Sequence, residues 1–226
     1  AYIDSVFDGT DGFVARFSDV GVLEWSTYLG AGGEDGVYSV TTDINDNVYL
    51  VGWTDASDFV TKKWGTAYID SVNDDFDVFI VRFSNIGIME WSTFFGGSNT
   101  ESGGSIVTDN NGDIFVVGAT QSNDLQLQPW GNAYFKDTLN TPITSNAFIA
   151  RFTNSGDLLW STYWFGYAWP FIIPIMVDEN SNLYLSASIP TSMPFPLKPW
   201  GNAYFDNTPG GVWDGYITRF SNMGEI

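Results

Sequence analysis

Cysteine and histidine are both absent from this 226-residue chain. The first absence excludes disulfides, thiolate metal sites and cysteine nucleophiles. Together they narrow any acid–base chemistry to carboxylates, Lys and Tyr. Positive charge is scarce: 8 Lys and Arg stand against 27 Asp and Glu, for a net charge of −19. Nucleic-acid phosphates and anionic lipid surfaces are held by clustered Lys and Arg, so neither is expected as a partner. No apolar run approaches the ~20 residues that span a bilayer, so no membrane insertion is expected. No window of useful length has helical periodicity. No signal peptide opens the chain, as would hold for any processed chain.

Aromatic and apolar residues are plentiful, at 17% and 44%, enough for a large core and too many for a disordered chain. They are arranged in a repeat. DGFVARFSDVG from Asp11, DVFIVRFSNIG from Asp77, NAFIARFTNSG from Asn146 and DGYITRFSNMG from Asp214 are one motif, spaced by 66, 69 and 68 residues. A W-S-T motif follows at Trp25, Trp91 and Trp160, then an Asp-led hairpin motif at Asp43, Asp109 and Asp178. A W-G-x-A-Y linker at Trp64, Trp130 and Trp200 joins one copy to the next. The copies divide the chain into repeat 1 (1–66), repeat 2 (67–132), repeat 3 (133–202) and a partial repeat 4 (203–226).

Within repeat 1, Phe13, Ala15 and Phe17 alternate with Val14 and Arg16, the period of a strand. Leu23 to Tyr28 is a second strand, Tyr38 to Thr42 a third, and Val48 to Trp53 a fourth, joined to the third through an Asn-Asp-Asn turn. Four antiparallel strands in tandem copies predict an all-β fold of β-propeller blades. A β-solenoid is the alternative, against which its shorter coils, ~20–30 residues, speak. The linker Trp is expected to be docked, plugging a gap between blades. Head and tail of the chain both carry the first strand of the motif, so they do not combine into one four-stranded blade. About three complete repeats and a partial one predict an open arc of a larger propeller.

Taken together, Asp11–Phe17, Trp25–Gly30, Asp43–Gly52 and Trp64–Tyr68, recurring in order, resemble the SBBP family, the beta-propeller repeat of large secreted and surface proteins of bacteria. The resemblance covers essentially the whole chain. It implies a propeller and an extracellular or cell-surface setting, and it implies no catalytic residues. Repeat 3 departs from it: the Gly-rich acidic loops that follow Gly30 and Gly96 are replaced by Trp164-Phe165-Gly166-Tyr167-Ala168-Trp169-Pro170-Phe171, at unchanged length.

Several residues invite a site reading. Arg16, Arg82, Arg151 and Arg219 hold one repeat position and Asp43, Asp109 and Asp178 another; a mid-strand Arg among apolar neighbours predicts a structural lock to a carboxylate or to carbonyls. Trp25, Trp91 and Trp160 are expected in the blade cores. Asp43, Asn45 and Asn47, with Asp109, Asn111 and Asp113, imitate the first positions of a calcium loop, as do Asp178, Asn180 and Asn182. The sixth positions are Val48, Ile114 and Leu183 where such a loop needs Gly, and Asx residues build hairpin turns unaided. Trp164, Phe165, Tyr167, Trp169 and Phe171 are candidate binding aromatics, for protein or polysaccharide, with inter-blade packing as the competing reading. No cofactor is required, calcium being the one candidate. The chain is expected to be a non-catalytic scaffold, filament or adhesin segment whose partners are other blades of the same or a neighbouring chain. A glycan- or protein-binding propeller is the alternative, and a carboxylate glycosidase the remaining one.

Overall fold

A computed structural model of the chain describes residues 9–139, 146–164, 173–191, 195–208 and 210–226. Among them there is no helix. The strands are β1 (Gly9–Thr10), β2 (Gly12–Phe17), β3 (Leu23–Leu29), β4 (Gly33–Thr42), β5 (Val48–Thr54), β6 (Asp77–Phe83), β7 (Met89–Phe95), β8 (Glu101–Thr108), β9 (Ile114–Thr120), β10 (Asn146–Phe152), β11 (Leu158–Trp164), β12 (Ile175–Val177), β13 (Leu183–Pro190) and β14 (Trp213–Phe220). They form four sheets in a row: β2-β3, then β4-β5-β6-β7 with β1 added parallel at the edge of β4, then β8-β9-β10-β11, then β12-β13-β14. The leading strands β4, β8 and β12 run side by side, the arrangement of successive propeller blades.

The blade is out of phase with the sequence repeat, which corrects the reading of one repeat as one blade. β5 ends the strands of repeat 1 and pairs along its length with β6, the first strand of repeat 2, from Val48↔Phe83 to Thr54↔Asp77. β9 and β10 pair in the same way from Ile114↔Phe152 to Thr120↔Asn146. Each complete blade therefore takes its inner pair from one repeat and its outer pair from the next. The long linker lies within a blade. Between β5 and β6 it runs out along β7, where Lys62 bridges Ser92 and the Asp70 amide donates to Thr93 Oγ1 at 2.8 Å. It thereby covers an outer edge that would otherwise offer unpaired backbone groups.

Three apolar layers fill the spaces between the four sheets. Val14 and Leu29 meet Val48, Leu50, Phe79, Val81 and Phe83; Ile80, Val78 and Phe95 meet Ile106, Val116, Phe148 and Phe152; Ile149 and Trp160 meet Leu183, Leu185 and Phe220. The alternation along a strand explains this. Val14, Ile80 and Ile149 point toward the following sheet, while Phe79 and Phe83, like Phe148 and Phe152, point toward the preceding one. The outermost faces have no such neighbour among the described residues. Phe13 is 71% exposed where its counterparts Phe79 and Phe148 are buried, and Ile217 is 79% exposed where Ile80 and Ile149 are buried.

The tryptophans follow the same gradient. Trp91 and Trp160 are fully buried. Trp25 is only half-buried, a correction to its expected core position: its sheet has two strands and no described linker beside it, whereas Ala67 and Tyr68 pack with Trp91. In urea unfolding, Trp91→Ala is expected to cost about 3–5 kcal/mol and Trp25→Ala about 1 kcal/mol.

Candidate functional site

The four-times-repeated Arg sits where two sheets are fastened together. Arg16, Arg82 and Arg151 lie directly across the strand pair from Trp25, Trp91 and Trp160, beside a bulge that recurs at the same place in all three pairs. Both side chains of each pair point at the next repeat. There a Ser/Thr-Asx-x-Gly turn presents its carbonyls, with Gly87, Gly156 and Gly224 at φ of 76°, 88° and 76°, conformations that glycine adopts without steric cost. Arg82 donates to the carbonyl of Asn154 at 3.0 Å and Arg151 to that of Asn222 at 2.7 Å; Arg16 reaches Asn85 in the same way. A Cβ on Gly156 would strike the indole of Trp91, so the ring lies flush on the turn.

The linker completes the fastening. Trp91 Nε1 donates to the carbonyl of Tyr68 at 3.1 Å, and the Tyr68 amide donates to the carbonyl of Gly156 at 2.8 Å. In the following blade Trp160 donates to Tyr134 at 2.9 Å, and Tyr134 to Gly224 at 2.8 Å. Trp64 and Trp130 stack over the guanidiniums of Arg82 and Arg151, at 4.3 and 4.8 Å. The residues wedged between blades are thus Ala67 and Tyr68, while the linker Trp covers the Arg.

The carboxylate that each Arg meets differs from copy to copy. Arg16 pairs with Glu24 at 2.8 Å and Arg82 with Glu90 at 3.4 Å. Repeat 3 has Leu159 at that place, and Arg151 turns instead to Asp109 at 3.3 Å and Asp113 at 2.9 Å. Asp109 is available because Phe115 replaces a tyrosine: in the other copies Tyr49 donates to Asp43 at 3.0 Å and Tyr184 to Asp178 at 3.2 Å. Among the described residues the expected Arg–Asp pair is therefore formed once, by Arg151. Arg219 stacks on Trp200 at 3.6 Å, and its Nε has no hydrogen-bond partner among the described residues.

The Asp-x-Asn-x-Asn segments form Asx turns. Asp43 Oδ1 accepts from the amides of Asn45 and Asn47, and Oδ2 from Asn47 Nδ2 and the Tyr49 hydroxyl. Burial opposes ionisation here, but these four bonds together hold the Asp43 carboxyl below its usual value. Asp109 Oδ1 accepts from the amides of Asn111 and Asp113 in the same manner. Asp178 binds Asn180 and Asn182 likewise. Each carboxylate is engaged by its own turn. Among the described residues no cluster of three or more acidic groups is placed to hold a metal ion.

One pair of acids was missed in sequence reading. Asp77 and Glu101, 2% and 1% exposed, face each other where β6 and β8 begin, and Asp77 Oδ1 is buried with no hydrogen-bond partner among the described residues. Glu101 also accepts from Thr120 Oγ1 at 2.6 Å and from the Gly97 amide at 2.7 Å. Two carboxyls in mutual contact and out of solvent do not flank a substrate, as glycoside hydrolysis requires. Of the candidate binding aromatics, Trp164 is 1% exposed and packs edge-on to Phe195 and Phe220 at 5.6 and 5.0 Å. That corrects its place among exposed binding residues: it is the last residue of β11 and faces the core. Phe165, Tyr167, Trp169 and Phe171 lie outside the described residues.

The Arg fastening predicts unequal losses along the arc. Arg151→Met leaves Asp109 buried without its cation and is expected to cost about 3–5 kcal/mol in chemical denaturation. Arg16→Met, whose ion pair is open to solvent, should cost about 1 kcal/mol or less.

Comparison with known proteins agrees with this architecture. Residues 24–59 and 90–126 match the family described as the beta-propeller repeat, SBBP. An uncharacterized WD repeat-containing protein of Acanthamoeba polyphaga mimivirus is 26% identical over a 179-residue alignment that covers 68% of this chain. The chain matches only 13% of that protein's length. Over residues 24–59 and 90–126, within sheets fastened by a recurring Arg and Trp, this chain matches the SBBP beta-propeller repeat.

Proposed function

We propose that this protein is a non-catalytic scaffold and interaction module that works by adding propeller repeats to propeller repeats, within a secreted or cell-surface setting. The observation that carries this reading is the fastening at Arg219. Trp200 already covers the guanidinium, and Tyr204, the counterpart of Tyr68 and Tyr134, is 92% exposed. Arg82 and Arg151 meet the turn of a further repeat at this position; here no such turn is present among the described residues. The opposite end offers the complement. Ser18-Asp19-Val20-Gly21 is a turn of the same build, with Gly21 at φ 78° and its amide bonded to the Ser18 carbonyl at 2.9 Å. Beside it Phe13, Phe17 and Tyr28 face outward. Exposed apolar surface of this kind supports docking of another protein surface, and a repeat of the same type supplies the matching groups.

The setting outside the cell is supported by the resemblance to repeats of secreted and surface proteins. A second reading, a glycan- or protein-binding propeller, is supported by the aromatic sequence Phe165, Tyr167, Trp169 and Phe171 that replaces the Gly-rich loop in repeat 3. It predicts retention on a glycan array that Trp169→Ala abolishes.

Sedimentation velocity tests the main reading. The chain is expected to associate with itself as its concentration rises. Trp200→Ala and Phe17→Asp, at opposite ends, should each weaken association by about tenfold or more with the circular dichroism spectrum unchanged. Identical monomeric sedimentation of all three proteins at every concentration overturns it.

A further inference from the structure

We infer that Asp77 and Glu101 are a proton-sharing carboxyl pair that latches the loop after the W-S-T strand of repeat 2 onto its blade, and that loss of the shared proton releases that loop. The preceding blade repeats part of this construction with Asp11 and Asp35. Asp35 is 1% exposed and accepts from the Ala31 amide at 2.8 Å, as Glu101 accepts from Gly97. Thr54 bonds Asp35 as Thr120 bonds Glu101. A Cβ on Gly30 would collide with Asp11 Oδ1, and one on Gly96 with Asp77 Oδ1, so the glycine is what lets the loop close over the acid.

Repeat 3 loses all four groups together. At the positions of Asp77, Gly96, Glu101 and Thr120 it carries Asn146, Phe165, Pro170 and Ile189. Concerted replacement within a single chain marks the four as one device. Had the acids been independent solvated turn residues, nothing would couple the loss of one to the loss of the others.

Two buried carboxyls in contact cannot both ionise without a cation between them, so the pair holds one proton in common. No ion pair reaches Asp77 or Glu101 among the described residues. The groups facing them are Asp70 and Asp74 of the linker, Thr120 and Ser122 at the end of β9, the Gly97 amide, and the rings of Tyr68 and Tyr163. Burial first, then Glu101, pushes the Asp77 carboxyl up to about 8. Burial likewise raises Asp35, with Asp11 adding to it. A group raised in the folded state contributes stability that is present below its unfolded value and is lost as pH climbs through the folded one. The Asp77–Glu101 latch is therefore shut in acid and opens between neutral and mildly alkaline pH. The chain reports this cleanly: without His or Cys it has no side chain that ordinarily titrates between about pH 5 and 9.

Thermal unfolding of the whole chain between pH 6 and 9 tests the inference, beside Asp77→Asn and Glu101→Gln. The wild-type melting temperature is expected to fall across this range by on the order of 5 °C. Each variant should show a smaller fall and a higher melting temperature at pH 9. Asn146 already occupies the equivalent place in repeat 3, so the fold accommodates the amide, and Glu101→Gln provides the same readout if Asp77→Asn does not fold. Amides of residues 97–101 should gain exchange at pH 9, beyond the intrinsic base-catalysed rise, in wild type and not in the variants. A flat wild-type profile, or an equal fall in wild type and both variants, overturns the inference. So does added calcium that raises the wild-type melting temperature at pH 9 and leaves the variants unmoved, since that would assign the pair to a cation.

Discussion

Everything else in this structure hangs on the grip of an arginine–tryptophan pair on the turn of the next repeat. Sheets stacked face to face are held by apolar burial, which is strong but carries little directional information. The grip adds direction. Arg82 reaches the carbonyl of Asn154 and Arg151 that of Asn222, while the indole opposite each Arg lies on the glycine of the same turn. A linker tyrosine bonds both the indole and the glycine carbonyl. Each grip ties a sheet to a defined turn of the next, and the row of sheets follows from repetition of that step.

The buried guanidinium needs a counter-charge, and the chain meets that need in more than one way. Glu24 and Glu90 lie near their Arg on the adjoining strand. Where Leu159 removes the Glu, Phe115 in place of a tyrosine releases Asp109, and Asp113 stands where repeat 1 has Asn47. Three separated substitutions thus close one electrostatic account. Removing the glutamate alone would have left a charge desolvated without compensation, an expensive state in a packed interior.

Strands, turns and the repeat were legible in sequence because they are local. Phe13-Val14-Ala15-Arg16-Phe17 alternates, and the Asp43 and Asp109 turns announce themselves through Asx residues that bond their own backbone. The structural part assigned to the recurring Arg was legible for a similar reason: a charged side chain between apolar neighbours requires a partner. Which partner it takes was not legible, because Asn154, 72 residues from Arg82, is brought close only by stacking. The acid pair was missed because acids near turns read as solvated. The signal that would have exposed it, the joint change to Asn146, Phe165, Pro170 and Ile189, was present in the repeat alignment.

What the sequence by itself determined is the unit: an all-β repeat, its four strands, its Asx turns and a recurring Arg that calls for a partner. Tertiary structure alone decided the phase of that unit and the depth of its side chains. In β6 and β9 both faces are apolar and both are buried, so alternation does not say which neighbour a strand will choose. Backbone pairing across the linker made that choice, giving each blade two strands from each of two repeats. The same pairing sank Trp164 into the core and drew Asp77 against Glu101. Burial and proximity between distant residues are properties of the assembled sheets, and no local pattern along the chain encodes them.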